Sequence, residues 1–272
     1  MLSLRHIPRP PLSALVGCLW YWEGAPATHA KERLLPNGEC AIIVNLRDEP
    51  LRIYDAHDVT RYSSYGHAVL SGARSDCFVI DTSQEERVVG IQFRPGGAFP
   101  FFRMPASEAE GASVALDDLW PAQSRRIREQ LLAAPSVDAM FAILERSLLA
   151  QLVRPPELHP AVACALRHFC QCPPGGSIAS LTERIGLSPR RFIELFHRQV
   201  GLTPKTFSRV RRFQQALRSF HGRRQIDWAR VALENGYYDQ AHFIHDFQGF
   251  SGFTPGAYSA LATPHLNHVP LP

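Results

Sequence analysis

Two kinds of hydrophobic spacing divide the chain. Up to about residue 100, apolar positions come in short β-branched or aromatic runs at 19–22, 40–46, 51–54, 77–80 and 88–93, separated by turn formers such as Pro36-Asn37-Gly38 and Arg94-Pro95-Gly96-Gly97. Runs of this length and spacing predict strands packed as a sandwich or small barrel. Past residue 125 the period becomes helical. Val137, Met140, Phe141, Leu144, Leu148 and Leu152 recur every three or four residues after Ser136, which suits an N-cap, and 125–132 is expected as a partner helix. Arg154-Pro155-Pro156 ends that stretch, because proline lacks the N–H a helix needs. Beyond it, Val162, Leu166 and Phe169 predict a helix over 159–170. Phe207, Val210, Phe213 and Leu217 predict one long helix over 204–220. The expected layout is a first domain over 1–154, a linker at 155–158, a second domain over 159–262 and a tail at 263–272.

The second domain contains a repeated motif. Phe192 and Phe196 correspond to Phe243 and Phe247 at an offset of 51, and Gly201, Thr203, Pro204 and Phe207 correspond to Gly252, Thr254, Pro255 and Tyr258 at the same offset. Upstream the offset is 50, pairing Ile178 with Trp228 and Leu181 with Val231, so the second turn carries one extra residue. Ser188-Pro189 suits an N-cap followed by an N1 proline. Gly236 suits a turn with positive φ, and Asp239 an N-cap carboxylate. Phe243, Phe247 and Phe250 then fall on one helix face, with Ala241, His245 and Gln248 opposite. In the first unit Ser177 or Ser180 can cap a helix whose Leu181 and Ile185 pack beneath the next one. Helix, glycine turn and helix, occurring twice, predict two helix-turn-helix units joined by the 204–220 helix. The fold class is therefore α+β: a β-rich N-terminal domain with a helical pair, then an all-α domain.

The run Asp239-Gln240-Ala241-His242-Phe243, with Phe247, Gly252 and Thr254-Pro255, closely resembles the second helix-turn-helix signature of the AraC/XylS family of transcriptional regulators. The resemblance extends over residues 161–258, departing from the commonest wording at Trp228 and at Asn235-Gly236-Tyr237-Tyr238, which are packing positions. It implies a DNA-binding regulator whose N-terminal half is a cupin-like barrel holding an effector and whose helical pair serves dimerisation.

Charge adds direction. From Glu157 onward 13 Arg and Lys face 7 Asp and Glu, a balance of +6, whereas the preceding part has 16 against 18, a balance of −2. A basic half joined to a slightly acidic one fits a nucleic-acid reader attached to a regulatory domain. A major groove accepts one helix, and side chains near its N-terminus reach base edges. The expected base readers are Arg190, Ile193 and Glu194 in the first unit and Gln240, Ala241, Ile244 and His245 in the second. Arg190 suits guanine, Glu194 a cytosine amine, Gln240 adenine, and Ala241 or Ile244 a thymine methyl. His245 stands where the family often places a base-reading arginine. Arg191, Arg198, Thr203, Lys205, Arg209, Arg212 and Thr254 are the expected phosphate contacts, which position without specifying. A rigid 204–220 helix would set the two readers about one DNA turn, ~34 Å, apart.

The remaining composition narrows the alternatives. No apolar run approaches the ~18 residues of a membrane helix, and residues 1–11 lack a signal-peptide core, so a cytoplasmic protein is expected. Six scattered cysteines, with Cys170 and Cys172 the one close pair, do not form a disulfide framework. The histidines before residue 100 (His6, His29, His57, His67) show no His-x-His or matched glutamate, and no nucleophile elbow, P-loop or dinucleotide fingerprint occurs. No catalytic residue, metal or cofactor is therefore expected, and the competing function is an enzyme of cupin or repair type fused to a DNA-binding module. Expected partners are a double-stranded DNA operator, with a small-molecule effector, a second copy of the chain and RNA polymerase as further candidates, and no membrane. Trp20, Trp22 and Arg94 are the candidate effector-pocket residues, with core and turn roles as the competing assignment.

Overall fold

The computed structural model describes residues 2–24, 29–171, 186–223 and 225–271. Expectations for Cys172, Ser177, Ile178, Ser180, Leu181 and Ile185 lie outside the described residues, as does the side chain of Cys170.

Each strand expected from the hydrophobic runs forms. Strand β1 spans Leu2–His6, β2 Val16–Glu23, β3 Lys31–Leu34, β4 Ala41–Asn45, β5 Leu51–Tyr54 and β6 Tyr62–Tyr65. After them come β7 Ala68–Ser71, β8 Phe78–Asp81, β9 Arg87–Phe93 and β10 Ser113–Ala115. A six-stranded sheet has the order β1-β2-β9-β4-β7-β10, and a five-stranded sheet the order β11-β3-β8-β5-β6, where β11 is His268–Leu271. The strand pairings are antiparallel. These are two open sheets, so of the cupin-like barrel and the sandwich expected, the two-sheet arrangement forms and the closed barrel does not; the edge strands are β1 and β10 in one sheet and β11 and β6 in the other. A register shift between Val16 and Cys18 explains how β2 buries Val16 at one end and Leu19 and Tyr21 further on. One extra residue there moves the inward face from even to odd positions. Strands β3 and β6 escape the hydrophobic pattern because neither has a fully buried residue, so neither needs an apolar alternation.

Behind the six-stranded sheet lie α1 (Leu116–Leu119), α2 (Pro121–Leu132) and α3 (Val137–Ala150), the last capped by Ser136, whose Oγ accepts from Ala139 N. The stripe of Met140, Phe141, Leu144 and Leu148 is buried, with Leu144 and Leu148 lining one small cavity together with Ile42, Val44 and Ile91. The all-α part runs through α4 (Pro160–Gln171), α5 (Pro189–Val200), α6 (Pro204–Phe220), α7 (Trp228–Glu234), α8 (Gln240–Ser251) and α9 (Pro255–Leu261). Its core is aromatic: Phe220 packs edge-on against Trp228, Phe243 and Tyr258 and at a tilt against Phe247, all with ring centroids within 6.5 Å. Edge-to-face rings of this kind add about 0.5–1.5 kcal/mol each beyond buried area.

Residues 263–272 are more than a tail. His268–Leu271 pairs with Leu34–Lys31 of β3, so the chain's last described stretch returns to the first domain's sheet. Val269 is fully buried there, and His268 Nδ1 lies 2.8 Å from Glu32 Oε2.

Candidate nucleic-acid interface

Helix α5 begins as its sequence dictates. Ser188 accepts from Arg191 N, and Pro189 occupies the first turn, where its missing N–H costs nothing. Burial of Phe192, Phe196 and Val200 fixes the helix rotation. The opposite side is open: the side chain of Arg190 is 91% exposed, that of Glu194 52%, and Ile193 is 41% exposed. Arg190 Nε meets Glu194 Oε1 at 3.1 Å and Arg191 Nη1 lies 3.9 Å from Glu194 Oε2. Exposed pairs of this type hold by only about 0.3–0.5 kcal/mol, so these groups exchange readily for base or phosphate partners. Arg198 is exposed in the last turn, where a cation also suits the helix dipole. His197 faces away from solvent in part, its Nε2 2.7 Å from Glu110 Oε2 of the first domain.

Helix α8 repeats the arrangement. Gly236 takes φ +70°, and Asp239 caps the helix by accepting from His242 N at 2.7 Å. Phe243, Phe247 and Phe250 are buried, and Gln240, Ala241, His245 and Gln248 are exposed. Ile244 is half-buried against the core, so only part of it is available to a thymine methyl. His242 packs edge-on to Tyr237, and its Nδ1 accepts from Tyr238 N at 3.3 Å.

The residues read as phosphate contacts divide. Lys205 is exposed in the first turn of α6. Thr203 and Thr254 spend their hydroxyl oxygens as N-caps of α6 and α9, accepting from Thr206 N and Ala257 N at 3.2 Å each. Arg209, nearly half exposed, and the more buried Arg212 both reach α8: their Nη2 atoms donate to Asp246 Oδ1 at 2.6 Å and Oδ2 at 2.8 Å. Asp246, on α8, is buried, and the guanidinium of Arg212 also lies over the Tyr237 ring at 4.3 Å. Burial opposes ionisation of Asp246, but the hydrogen bonds from Arg209 and Arg212 outweigh it and hold the carboxyl below its ordinary range. Burial likewise pushes the Tyr237 hydroxyl up to about 12. Sequence reasoning misses this clasp between α6 and α8. Its signal, an aspartate one position from a surface histidine, becomes visible only when the two helices are docked.

The pocket candidates have local partners. Trp20 lies across Gly90, its register neighbour on β9, where any Cβ would overlap the indole. Trp22 meets His265 edge-on at 5.8 Å, and Arg94 Nε donates to Ser13 O at 2.9 Å. Two cavities of about 10 Å³, the space of one water, are lined by Ile42, Ile91, Trp120 and Leu144 and by Cys40, Leu70, Phe99 and Phe102 among others. None of Trp20, Trp22 and Arg94 borders either.

Two capped recognition-type helices with free N-terminal faces define a helix-turn-helix nucleic-acid-binding class. Comparison with known proteins specifies it further. Residues 181–260 match a helix-turn-helix domain model, and residues 4–115 match a domain of unknown function, DUF6597. The arabinose operon regulatory protein of Escherichia coli K12 is 28% identical over 134 residues, 47% of this chain and 46% of that protein. Its Salmonella typhimurium counterpart is 28% identical over 125 residues, 43% and 44% respectively. The chain thus spans about half the length of these curated relatives. Among solved structures, ToxT from Vibrio cholerae superposes with a TM-score of 0.48 at 10% identity, over 90% of this chain and 98% of that one. Residues 181–260 are thus a helix-turn-helix domain, and the chain is similar over about half its length to the arabinose operon regulatory proteins. Among the described residues no helix is long and apolar enough to cross a membrane.

Proposed function

We propose that the protein is a sequence-specific transcriptional regulator that lays α5 and α8 into successive major grooves of one operator. The observation that carries this reading is the matched exposure of Arg190, Ile193 and Glu194 on one helix and Gln240, Ala241 and His245 on the other, each set at the N-terminal end of a capped helix. Arg190, Glu194 and Gln240 have the donor and acceptor patterns for guanine, cytosine and adenine, and each good contact is worth about 1–3 kcal/mol of discrimination. Ile244 and Ala241 supply apolar surface for thymine. Arg191, Arg198 and Lys205 are free to neutralise phosphates. Arg209 and Arg212, already bound to Asp246, orient α8 and contribute charge only through their exposed edges. The N-terminal two-sheet domain is the regulatory part in this reading, through an effector, dimerisation by the α2–α3 pair, or contact with RNA polymerase.

The test is a base-preference profile measured with purified protein and randomised DNA. Arg190→Ala should relax preference at one or two positions, costing about 1–3 kcal/mol there. Lys205→Ala should weaken all sequences alike and reduce the salt slope by about 1. An Arg190→Ala protein with the wild-type profile contradicts the base-reading role.

A further inference from the structure

The two recognition helices end against the first domain at equivalent points of the repeat. Gly201 and Gly252, 51 residues apart, terminate α5 and α8 in the left-handed conformation, at φ +92° and +73°. Gly201 is buried against the first domain: a Cβ there would meet Ala106 O and Ala73 Cβ, both at 3.2 Å. The same end of α5 carries the His197–Glu110 pair at 2.7 Å and lies beside Gly96, whose added Cβ would come within 3.6 Å of Gln199 O. At the other helix, Arg33 of β3 does the corresponding work. Its Nη1 donates to Ser251 O, the last residue of α8, at 3.4 Å; its Nη2 donates to Ala56 O at 3.0 Å; and its guanidinium lies 4.7 Å over the Phe253 ring. A Cβ at Gly252 would overlap that guanidinium. A cation at a helix C-terminus satisfies carbonyls that have no partner in the helix and complements its dipole.

The connector is held from the same side. The turn at 36–39 rests on α6: Gln214, fully buried, donates from Nε2 to Pro36 O and to Asn267 Oδ1, both at 2.8 Å. Gly38, at φ +75°, sits where a Cβ would touch Val210, Phe207 and Leu202 at 3.4–3.6 Å. The first domain therefore touches α5 and α8 at the ends away from Arg190 and Gln240, and α6 along its Phe207–Gln214 stretch.

We infer that Arg33 and Glu110 are positioning residues for DNA reading: they grip the C-terminal ends of α8 and α5, so the first domain fixes the separation and rotation at which the two helices meet DNA. This rests on the DNA-reading function proposed above. Two linked readers add their affinities only when geometry lets both engage together, and a clamp of this kind converts that requirement into a strict spacing rule. Neither residue reaches a base, so loosening the grip should broaden spacing tolerance without altering base preference.

The experiment uses the full chain and the bipartite site it selects from random DNA, with the spacer varied by −2 to +2 base pairs. Each base pair added rotates the second block by about a tenth of a turn. Wild-type affinity should fall by about tenfold or more one base pair from the optimum, whereas the Arg33→Ala, Glu110→Ala double variant should lose less than about threefold. Arg33→Lys, keeping the cation, should restore much of the discrimination, and base preference within each block should match wild type throughout. Circular dichroism melts confirm that the variants compared are folded. A folded double variant with the wild-type spacing profile overturns the clamp alone. A wild-type protein that selects no bipartite site overturns the DNA-reading assignment and this inference with it.

Discussion

Asp246 follows the exposed His245 by one residue and lies on the buried side of the same helix, where two arginines from α6 share its oxygens. Replacing one member of such a group leaves uncompensated charge, so Asp246→Asn should cost about 2–4 kcal/mol, at the lower end of buried-pair losses because Arg209 is nearly half exposed. The carboxyl is held below its ordinary range, so its contribution is full above about pH 4 and fades as pH falls through the depressed value. Urea unfolding at pH 7 should show the full gap between wild type and variant, and the gap should narrow below about pH 4. Glu39 gives the opposite sign. Burial raises its carboxyl, against the lowering effect of Arg211, Gln92, Arg218 and Arg94, so ionisation costs stability as pH rises. Glu39→Gln should raise the melting temperature at pH 7, with the gain vanishing towards pH 4. A variant whose effect did not change with pH would place the cause in packing instead. The phenylalanine stripes were legible in the sequence because burial repeats at helical period. The roles of Arg209 and Arg212 were not, since whether an arginine meets phosphate or aspartate depends on what a helix more than thirty residues later brings to it.

At the level of elements, the repeat made capping legible. Ser188 and Asp239 cap as expected and Gly236 takes positive φ; Thr203 and Thr254, read from sequence as phosphate contacts, also cap their helices, and Gly201 and Gly252 also take positive φ. What lies outside each glycine was hidden, because contacts with another domain leave no local pattern. A comparison of alanine substitutions separates the two contributions. Gly186, at φ +70° with open space where a Cβ would stand, should lose only the backbone term, about 1–2 kcal/mol. Gly252→Ala should lose more, since the new methyl group must displace Arg33. Equal losses at the two sites, measured by urea unfolding, would show that the Arg33 contact contributes nothing. Strand prediction succeeded where a mainly apolar run of four or more coincided with a buried face, as in β4, β5 and β9, and missed β1, β3, β6, β7, β10 and β11; of these, β3, β6 and β11 have polar or proline-containing sequences without such a run, and the apolar run of β7 is only three residues long.

Across the whole molecule, the last strand closes the chain onto its beginning. Deleting residues 263–272 removes β11, exposes the β3 edge and takes away the Val269 side chain, worth about 1.5–3 kcal/mol by burial. The prediction is a lower melting temperature together with faster amide exchange in β3, although the deleted residues follow the DNA-binding domain in sequence. Unchanged exchange in β3 would mean that β11 does not support the sheet. Neither this closure nor the choice of two open sheets over a barrel could be read from the chain, because strand order is set by long-range pairing, which short runs leave undetermined.

The central claim is that two helices of one chain read two grooves of one duplex. Enrichment of bound sequences from a random DNA library tests it most directly. Two short conserved blocks are expected, centred about 10 base pairs apart on one face of the helix. Recovery of a single block, or of no preferred sequence at all, would contradict it.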